Sequence, residues 1–421
     1  MLWKMLNCDF GGVFMKLYKR ENYLKKIRGF YHDTDMIKVI TGVRRCGKSC
    51  LMQTIADEIL ESGVKAENII YLNLDKRGYR NIKTADQLDA KIEEMSVASG
   101  IKYLFIDEIQ NVRNFEEVIN GFREEEEFSI FITGSNSYLL SGEIATKLTG
   151  RYIEFELYTL SFEEYLGMKK FFGKEINADL TAEFDAYISE GGFPRTIQYS
   201  GEDKEVYIKE IIKEIFQKDI KKRVKVRKIS VFETVQRYII NNFGATVSLT
   251  NILNDLAKNG CPIRRETLKR YLTILEDAKI IYPCYRFDLK SRKSISGEQK
   301  YYLADLGFYF AVNANKHINY GQALENIVYI YAKSKGYEVS VGRIGKLECD
   351  FILERNHDYS YIQVSMTIMN DVKTEDREYR PLEEIKDNYP KYLLTRNDLI
   401  QRRNGIKHFN IPLFMKENMT F

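Results

Sequence analysis

The chain has 421 residues, 44% hydrophobic and 29% charged, a composition that excludes disorder of the whole chain. Its 64 basic and 60 acidic side chains leave a net charge of +4, so nucleic-acid binding would need local basic patches. No run of 18 apolar residues occurs, and the six cysteines form no C-x-x-C pair, which argues against a membrane-spanning helix, zinc ligation and a disulfide framework.

The first fourteen residues fit nothing around them and lack the apolar core of a secretion signal. We interpret Met15 as the true start, and residues 1–14 as an upstream read-through or a frayed tail. Cysteines that form no disulfide framework, in a chain without a secretion signal, predict reduced thiols and a cytoplasmic protein. Four apolar strands follow, separated by helical patterns, at 37–40, 69–74, 103–106 and 130–133. This alternation predicts an α/β fold, with a parallel sheet covered by helices on both faces.

A phosphate-binding motif follows the first strand. The segment Gly42–Ser49 matches G-x-x-x-x-G-K-[ST], in which backbone N–H groups cradle phosphates at the start of a helix. Lys48 would reach the β- and γ-phosphates, and Ser49 would hold Mg²⁺. The residues predicted to bind the nucleotide are Gly42, Val43, Arg44, Arg45, Cys46, Gly47, Lys48, Ser49 and Cys50.

The third strand ends in two acids, Asp107 and Glu108. Asp107 is predicted to bind Mg²⁺ together with Ser49, and Glu108 to polarise the attacking water. Taken alone, two acids after a strand would more often be solvated caps. With the phosphate loop upstream, they predict an ATPase site, and the absence of an N-K-x-D signature favours ATP over GTP.

Two further catalytic candidates follow the fourth strand. Asn136, or else Ser135, would sense the γ-phosphate from a strand end, although Gly134–Asn136 is equally a composition typical of turns. Arg151 would stabilise transition-state charge, either in its own site or in a neighbour's, or is a surface arginine after a glycine turn.

At this point the sequence resembles bacterial and archaeal AAA-type P-loop ATPases that carry a winged helix and a C-terminal domain related to PD-(D/E)xK nucleases. The segments that carry the resemblance are Ile37–Ser49, Tyr103–Gln110, Ile130–Ser137, Leu148–Arg151, Leu160–Tyr165, Gly191–Pro194, Tyr301–Gly307, Leu324–Asn326 and Glu348–Ile352. We therefore expect an N-terminal extension at 1–15, an ATPase domain at 16–200, a basic helical connector at 201–229, a winged helix-turn-helix at 230–305 and a restriction-endonuclease-like domain at 306–421.

The predicted winged helix offers a basic surface. Its recognition helix would span 264–275, and the tip of the following hairpin carries Lys290, Arg292 and Lys293. Double-stranded DNA would be contacted by Arg264, Arg265, Lys269, Arg270, Lys290 and Arg292. A solvated face or a protein partner is the alternative. The basic stretch 218–228 could track a phosphate backbone, or be a solvated connector or a contact for the acidic run Glu124–Glu127.

In the nuclease-like domain, the resemblance makes Glu325 the helix acid and Asp350 the metal-binding acid, with Glu348 nearby. Gln363 and Ser365 stand where an acid and a lysine would be expected, which argues for a degenerate domain. The sequence thus predicts a Mg²⁺-dependent ATPase coupled to DNA binding. The alternatives are a nucleotide-driven switch that binds a protein, or an active nuclease; a homo-oligomer is left open.

Overall fold

The computed structural model describes residues 17–134, 148, 150–221, 228–291, 293–313, 317–369 and 371–421. The chain divides into two compact units between Leu157 and Tyr158. No helix in the described part of the chain combines the length and apolar character needed to span a bilayer.

The first unit is a parallel α/β sheet. Its five strands lie in the order β2-β3-β4-β1-β5, and every neighbouring pair is parallel. The elements in chain order are α1 Glu21–Ile27, β1 Ile37–Thr41, α2 Lys48–Glu61, β2 Ile69–Asn73, α3 Ala85–Met95, β3 Lys102–Asp107, α4 Phe115–Glu124, β4 Phe128–Thr133 and β5 Tyr152–Glu156.

Alternation along the strands gives this sheet two buried faces. Val39, Leu104 and Ile132 face one way and pack with apolar residues of α3 and α4 in one core cluster. Neighbouring residues such as Phe105 and Phe131 face the other way, where their rings stack with centroids 4.7 Å apart. Both sides of β1, β3 and β4 are therefore buried, as the near-continuous apolar runs in the sequence predict. The predicted P-loop-type sheet is confirmed.

The second unit has helices followed by a nine-stranded mixed sheet, in the order β13-β14-β12-β11-β10-β9-β7-β8-β6. Its elements are α5 Phe162–Phe171, α6 Leu180–Glu190, α7 Glu202–Glu214, α8 Ile229–Asn241, β6 Thr246–Val247, α9 Leu249–Lys258, α10 Arg265–Asp277, β7 Ile281–Asp288, β8 Lys293–Leu303, α11 Gly307–Val312, α12 Tyr320–Ser334, β9 Glu338–Ile344, β10 Leu347–Arg355, β11 Asp358–Val364, α13 Val372–Glu384, β12 Lys391–Thr395, β13 Arg402–Arg403, β14 Ile406–Asn410 and α14 Ile411–Lys416.

A buried carboxylate ties distant segments of this unit together. Asp305 accepts hydrogen bonds from the backbone N–H of Gly192 (2.7 Å) and of Gly307 (2.8 Å). A Cβ atom at Gly191 would lie 2.0 Å from Oδ1 of Asp305, so a side chain at this position would clash with the carboxylate. Residues 158–198 lie in the second compact unit. The predicted bounds of the ATPase domain, 16–200, stay a prediction.

Candidate nucleotide site

The phosphate loop connects β1 to α2, and its shape depends on glycine. Gly42 and Gly47 have φ values of +136° and +109°, which L side chains rarely adopt. A Cβ atom at Gly42 would lie 2.1 Å from the carbonyl oxygen of Leu157. Val43 and Cys46 bury their side chains, whereas Ser49 and Cys50 are exposed on the first turn of α2.

The amine of Lys48 lies within this loop. It is buried and donates hydrogen bonds to the carbonyl oxygens of Gly42 (2.9 Å) and Val43 (3.2 Å). Arg20, which immediately precedes α1, donates to the carbonyl oxygen of Cys46 at 3.2 Å and so braces the other side of the loop. The loop therefore offers a fixed cation beside the N-terminal end of α2, an arrangement suited to phosphate.

Asp107 is held by the two strands that flank β3. Its Oδ1 accepts a 2.5 Å hydrogen bond from the hydroxyl of Thr133, the last residue of β4, and its Oδ2 accepts one of 2.8 Å from the amide of Asn73, the last residue of β2. The carboxylate is buried at 1% exposure. Both oxygens thus have a fixed orientation, as a metal-binding carboxylate requires.

Glu108 follows directly in the left-handed conformation, with φ of +61°. Its backbone N–H donates to the Thr133 hydroxyl at 3.1 Å, and the amide of Gln110 donates to its carboxylate. Burial raises the pKa of Glu108, and the charges of Lys48 and Arg44 partly oppose that rise. A carboxylate with a raised pKa, next to a cationic phosphate loop, suits a general base.

Of the other predicted catalytic residues, Arg151 lies in the described part of the chain and Asn136 and Ser135 do not. Arg151 immediately precedes β5 and lies 3.7 Å from Glu124; its carbonyl oxygen accepts from Ile37, the first residue of β1. The phosphate loop leaves the opposite end of β1, five residues or about 16 Å away, and the role predicted for Arg151 stays a prediction.

Sequence reasoning missed four side chains that support the site: Arg20, Asn73, Gln110 and Thr133. Thr133 carried a usable signal, since it ends an apolar strand, as Asp107 does, and parallel strands end at the same edge of a sheet. Asn73 ends β2 in the same way. Arg20 had no comparable signal, because its contact depends on how the N-terminal segment folds back onto the loop.

Comparison with known proteins indicates the family of the chain. A family model described as an AAA domain matches residues 34–166, and one described as a domain of unknown function (DUF8612) matches residues 181–318. An uncharacterized protein of Haemophilus influenzae is 36% identical over 381 residues, which cover 90% of this chain and 93% of that protein. The chain belongs to the family of AAA-type P-loop ATPases.

Two further comparisons describe the relatives of this AAA-type ATPase. An uncharacterized protein of Methanocaldococcus jannaschii is 33% identical over 307 residues, covering 72% of this chain and 67% of that protein. The structure of a Walker-type ATPase of Pyrococcus abyssi matches with a TM-score of 0.50 and 14% identity, covering 71% of this chain and 99% of that one. At that identity the structural match supports the fold alone.

In the second unit, the side chains predicted to contact DNA are mostly on the surface. Arg264, Arg265, Lys269 and Arg270 are exposed at the start of α10 and along it, and Lys290 is exposed at the turn after β7. Arg292 lies outside the described residues, as does most of the basic stretch 218–228. In that stretch Lys218 pairs with Glu214 at 3.2 Å.

The predicted nuclease-like acids also come together. Glu325 on α12 and Glu348 on β10 each lie 3.0 Å from the amine of Lys300, a residue of β8. Asp350 is buried, and its backbone N–H faces the side-chain oxygen of Gln363 at 3.4 Å. Among the residues that the structure describes, no three histidine, cysteine or acidic side chains are grouped so as to hold a metal ion.

Proposed function

We propose that this protein binds ATP with Mg²⁺, hydrolyses the β–γ bond, and couples that cycle to double-stranded DNA through a winged helix. The observation that carries the proposal is the pair of acids, Asp107 and Glu108, fixed by Thr133 at the sheet edge where the phosphate loop begins. A buried lysine, a helix N-terminus and an oriented carboxylate together match what a Mg²⁺-bound nucleotide needs.

Each residue has a distinct role in this proposal. The loop backbone and Lys48 hold the phosphates, and the amine exchanges its carbonyl partners for phosphate oxygens. Ser49 and Asp107 would hold Mg²⁺, which would supply positive charge beside the phosphates. Glu108 orients a water molecule and accepts its proton, while the amide of Gln110 donates to one oxygen of its carboxylate. We assign Arg151 to the site of a neighbouring subunit, because it lies at the opposite end of β1 from the phosphate loop of its own chain.

Nucleotide binding tests the first half of the proposal. Lys48→Ala should abolish ATP binding, and Ser49→Ala should remove the Mg²⁺ dependence of binding while weaker metal-free binding persists. Lys65→Gln is the matched control, because Lys65 is a highly exposed lysine of the same unit. Undiminished ATP binding by folded Lys48→Ala would show that the phosphate loop is not the nucleotide site.

The proposed DNA binding depends on helices α8, α9 and α10 and on the β7–β8 hairpin that follows them. The short strand β6 pairs with β8. We propose that these elements form a winged helix, with α10 as recognition helix and the hairpin as wing. The exposed cations of α10 and Lys290 lie at the positions that would meet the groove and its flanking phosphates. We propose this surface as the DNA contact.

Salt dependence separates DNA binding from a protein-binding switch. Binding through several phosphates should weaken steeply with salt, and Lys269→Gln should lower the slope of log K against log[salt] by about 0.9. Lys65→Gln should leave the slope unchanged. A flat salt response, or no DNA binding, would favour a protein partner for the same surface.

A further inference from the structure

A cavity of about 360 Å³ opens beside the end of the β7–β8 hairpin in the second unit. Its walls come from the end of β7, the turn between β9 and β10, strand β11 and the segment between α13 and β12. Half-buried apolar side chains line it and also pack against the core of this sheet; they are Phe287, Leu289, Ile344, Tyr359 and Tyr389. The volume lies in the range of sites that hold a small organic ligand.

Three of these side chains are aromatic and come from different segments. Tyr359 of β11 and Tyr389, which lies just before β12, contact each other edge to face, with ring centroids 5.4 Å apart. Phe287 of β7 contributes a third ring. Because all three side chains line the cavity and keep part of their surface exposed, they favour a flat aromatic ligand that can stack on them.

A carboxylate of fixed orientation adds a polar group to the cavity. Oδ2 of Asp387 accepts a hydrogen bond of 2.5 Å from the hydroxyl of Tyr361, and Oδ1 accepts one of 3.2 Å from the backbone N–H of Tyr389. Each oxygen keeps capacity to accept a further hydrogen bond. A carboxylate is the natural acceptor for the exocyclic amino group of a base such as cytosine.

Two cations and one acid flank the cavity. Lys290, Lys386 and Glu384 all line it and are exposed. The amine of Lys386 donates to the carbonyl oxygen of Glu383 at 2.8 Å, at the end of α13. Lys290 is also one of the cations proposed above to contact DNA phosphates. A strand bound at Lys290 would therefore run beside the opening of the cavity.

We propose that this cavity receives one unpaired nucleobase from a DNA strand bound at the β7–β8 hairpin. The aromatic rings stack on the base, Asp387 accepts from its amino group, and the two lysines contact the adjoining phosphates. An aliphatic side chain of a protein partner would use the apolar wall alone, so a nucleotide matches more of the site. The inference deepens the proposed DNA contact and rests on that function for the strand that delivers the base.

Duplexes with one bulged cytosine test the proposal, using the full chain without ATP. The reference is the same duplex with an abasic bulge, which keeps the flexible backbone and lacks the base. Stacking of one base on aromatic side chains corresponds to about 5- to 150-fold in affinity, so the cytosine bulge should bind at least about fivefold more tightly than the abasic bulge.

Two variants assign this gain to the cavity. Tyr359→Leu and Tyr389→Leu keep apolar bulk but remove a ring, so each should lose most of the gain while its binding of the fully paired duplex is unchanged. Phe171→Leu is the matched control, because Phe171 is an exposed aromatic residue of α5 that does not line the cavity; it should keep the gain. A gain that persists in both tyrosine variants would overturn the proposal.

The paired duplex distinguishes failure of this proposal from failure of the proposed DNA contact. If the paired duplex binds and wild type shows no preference for the cytosine bulge over the abasic bulge, the cavity proposal falls and the DNA contact stands. If only the cytosine-bulged duplex binds, the cavity proposal stands and the contact with paired DNA falls. If neither binds, both fall.

Competition with free dCMP identifies the source of the base. The free nucleotide lacks the phosphate contacts of the strand, so it should bind more weakly than the bulged duplex. Binding of dCMP as tight as that of the bulged duplex, and lost in Tyr359→Leu, would assign a free nucleotide to the cavity and overturn the strand as its occupant.

Discussion

Replacement of Thr133 by valine tests whether one hydroxyl organises both acids of the nucleotide site. The side chain is fully buried; its Oγ1 donates to Asp107 at 2.5 Å and accepts from the N–H of Glu108 at 3.1 Å. Valine has nearly the same shape but leaves a charged acceptor and a backbone donor without this partner. A hydrogen bond to a charged group contributes about 1.5–3 kcal/mol, so we expect Thr133→Val to lower the free energy of unfolding by about 2–4 kcal/mol.

The same change should alter the metal dependence of ATP turnover. Loss of a group that orients a metal ligand typically weakens metal binding 10- to 100-fold, so the Mg²⁺ concentration for half-maximal turnover should rise by about tenfold or more. Thr133→Ser should restore most of both properties. Chemical denaturation gives the first quantity and Mg²⁺ titration of turnover the second.

Thr54→Val is the matched control for this experiment. Thr54 is a buried threonine of α2 whose hydroxyl donates only to the carbonyl oxygen of Cys50, one turn earlier in the same helix. Its loss should cost less than about 1 kcal/mol and leave the Mg²⁺ dependence unchanged. Equal effects of Thr133→Val and Thr54→Val on stability, with no change in Mg²⁺ dependence, would refute the reasoning.

Two further predictions concern Gly42 of the phosphate loop and the buried carboxyl group of Asp305. Gly42→Ala should destabilise the protein by roughly 2–4 kcal/mol and weaken ATP binding, since it combines a positive φ with a backbone contact; Gly29→Ala, which has open space around it, should do neither. Burial raises the pKa of Asp305 from its ordinary value of 3.8 to about 6, against the opposing backbone hydrogen bonds. The folded state therefore holds this proton more tightly, and its contribution, about 2–3 kcal/mol, is lost as pH rises through 6. Denaturation of wild type and Asp305→Asn should show the wild type gaining relative stability from pH 7 to pH 5; a pH-independent difference would contradict this.

The parts of the fold predicted from sequence are those in which local pattern and tertiary packing agree. Strands β1, β3 and β4 are buried on both faces, so each forms an apolar run that marks it clearly. Strand β5 was missed because its residues, YIEFE, are only half-buried at the edge of the sheet and mix charges with apolar groups. The joining of the β7–β8 hairpin to the C-terminal sheet was also missed, because pairing of β7 with β9 leaves no local signal.

The candidate nucleotide site likewise combines residues that the sequence predicted with residues that it did not. The phosphate loop and the two acids are contiguous motifs, and the structure brings Lys48, Asp107 and Glu108 to positions consistent with their predicted roles, which remain proposals. The sequence did not show which side chains from distant segments would lie beside these residues. In the C-terminal region, sequence reasoning looked for a lysine at Ser365 and found none. The cation beside Glu325 and Glu348 instead comes from Lys300 on another strand, which only the three-dimensional structure reveals.

ATP turnover by wild type and Glu108→Gln, each with and without double-stranded DNA, tests the central claim most directly. Glutamine keeps the shape of the side chain and a hydrogen-bond acceptor but cannot take a proton at this position. The account predicts that wild type hydrolyses ATP and is stimulated by DNA, whereas Glu108→Gln binds ATP and fails to turn it over. Glu93→Gln, an exposed glutamate of α3, should behave as wild type. Wild-type turnover by Glu108→Gln would contradict the assignment of the base.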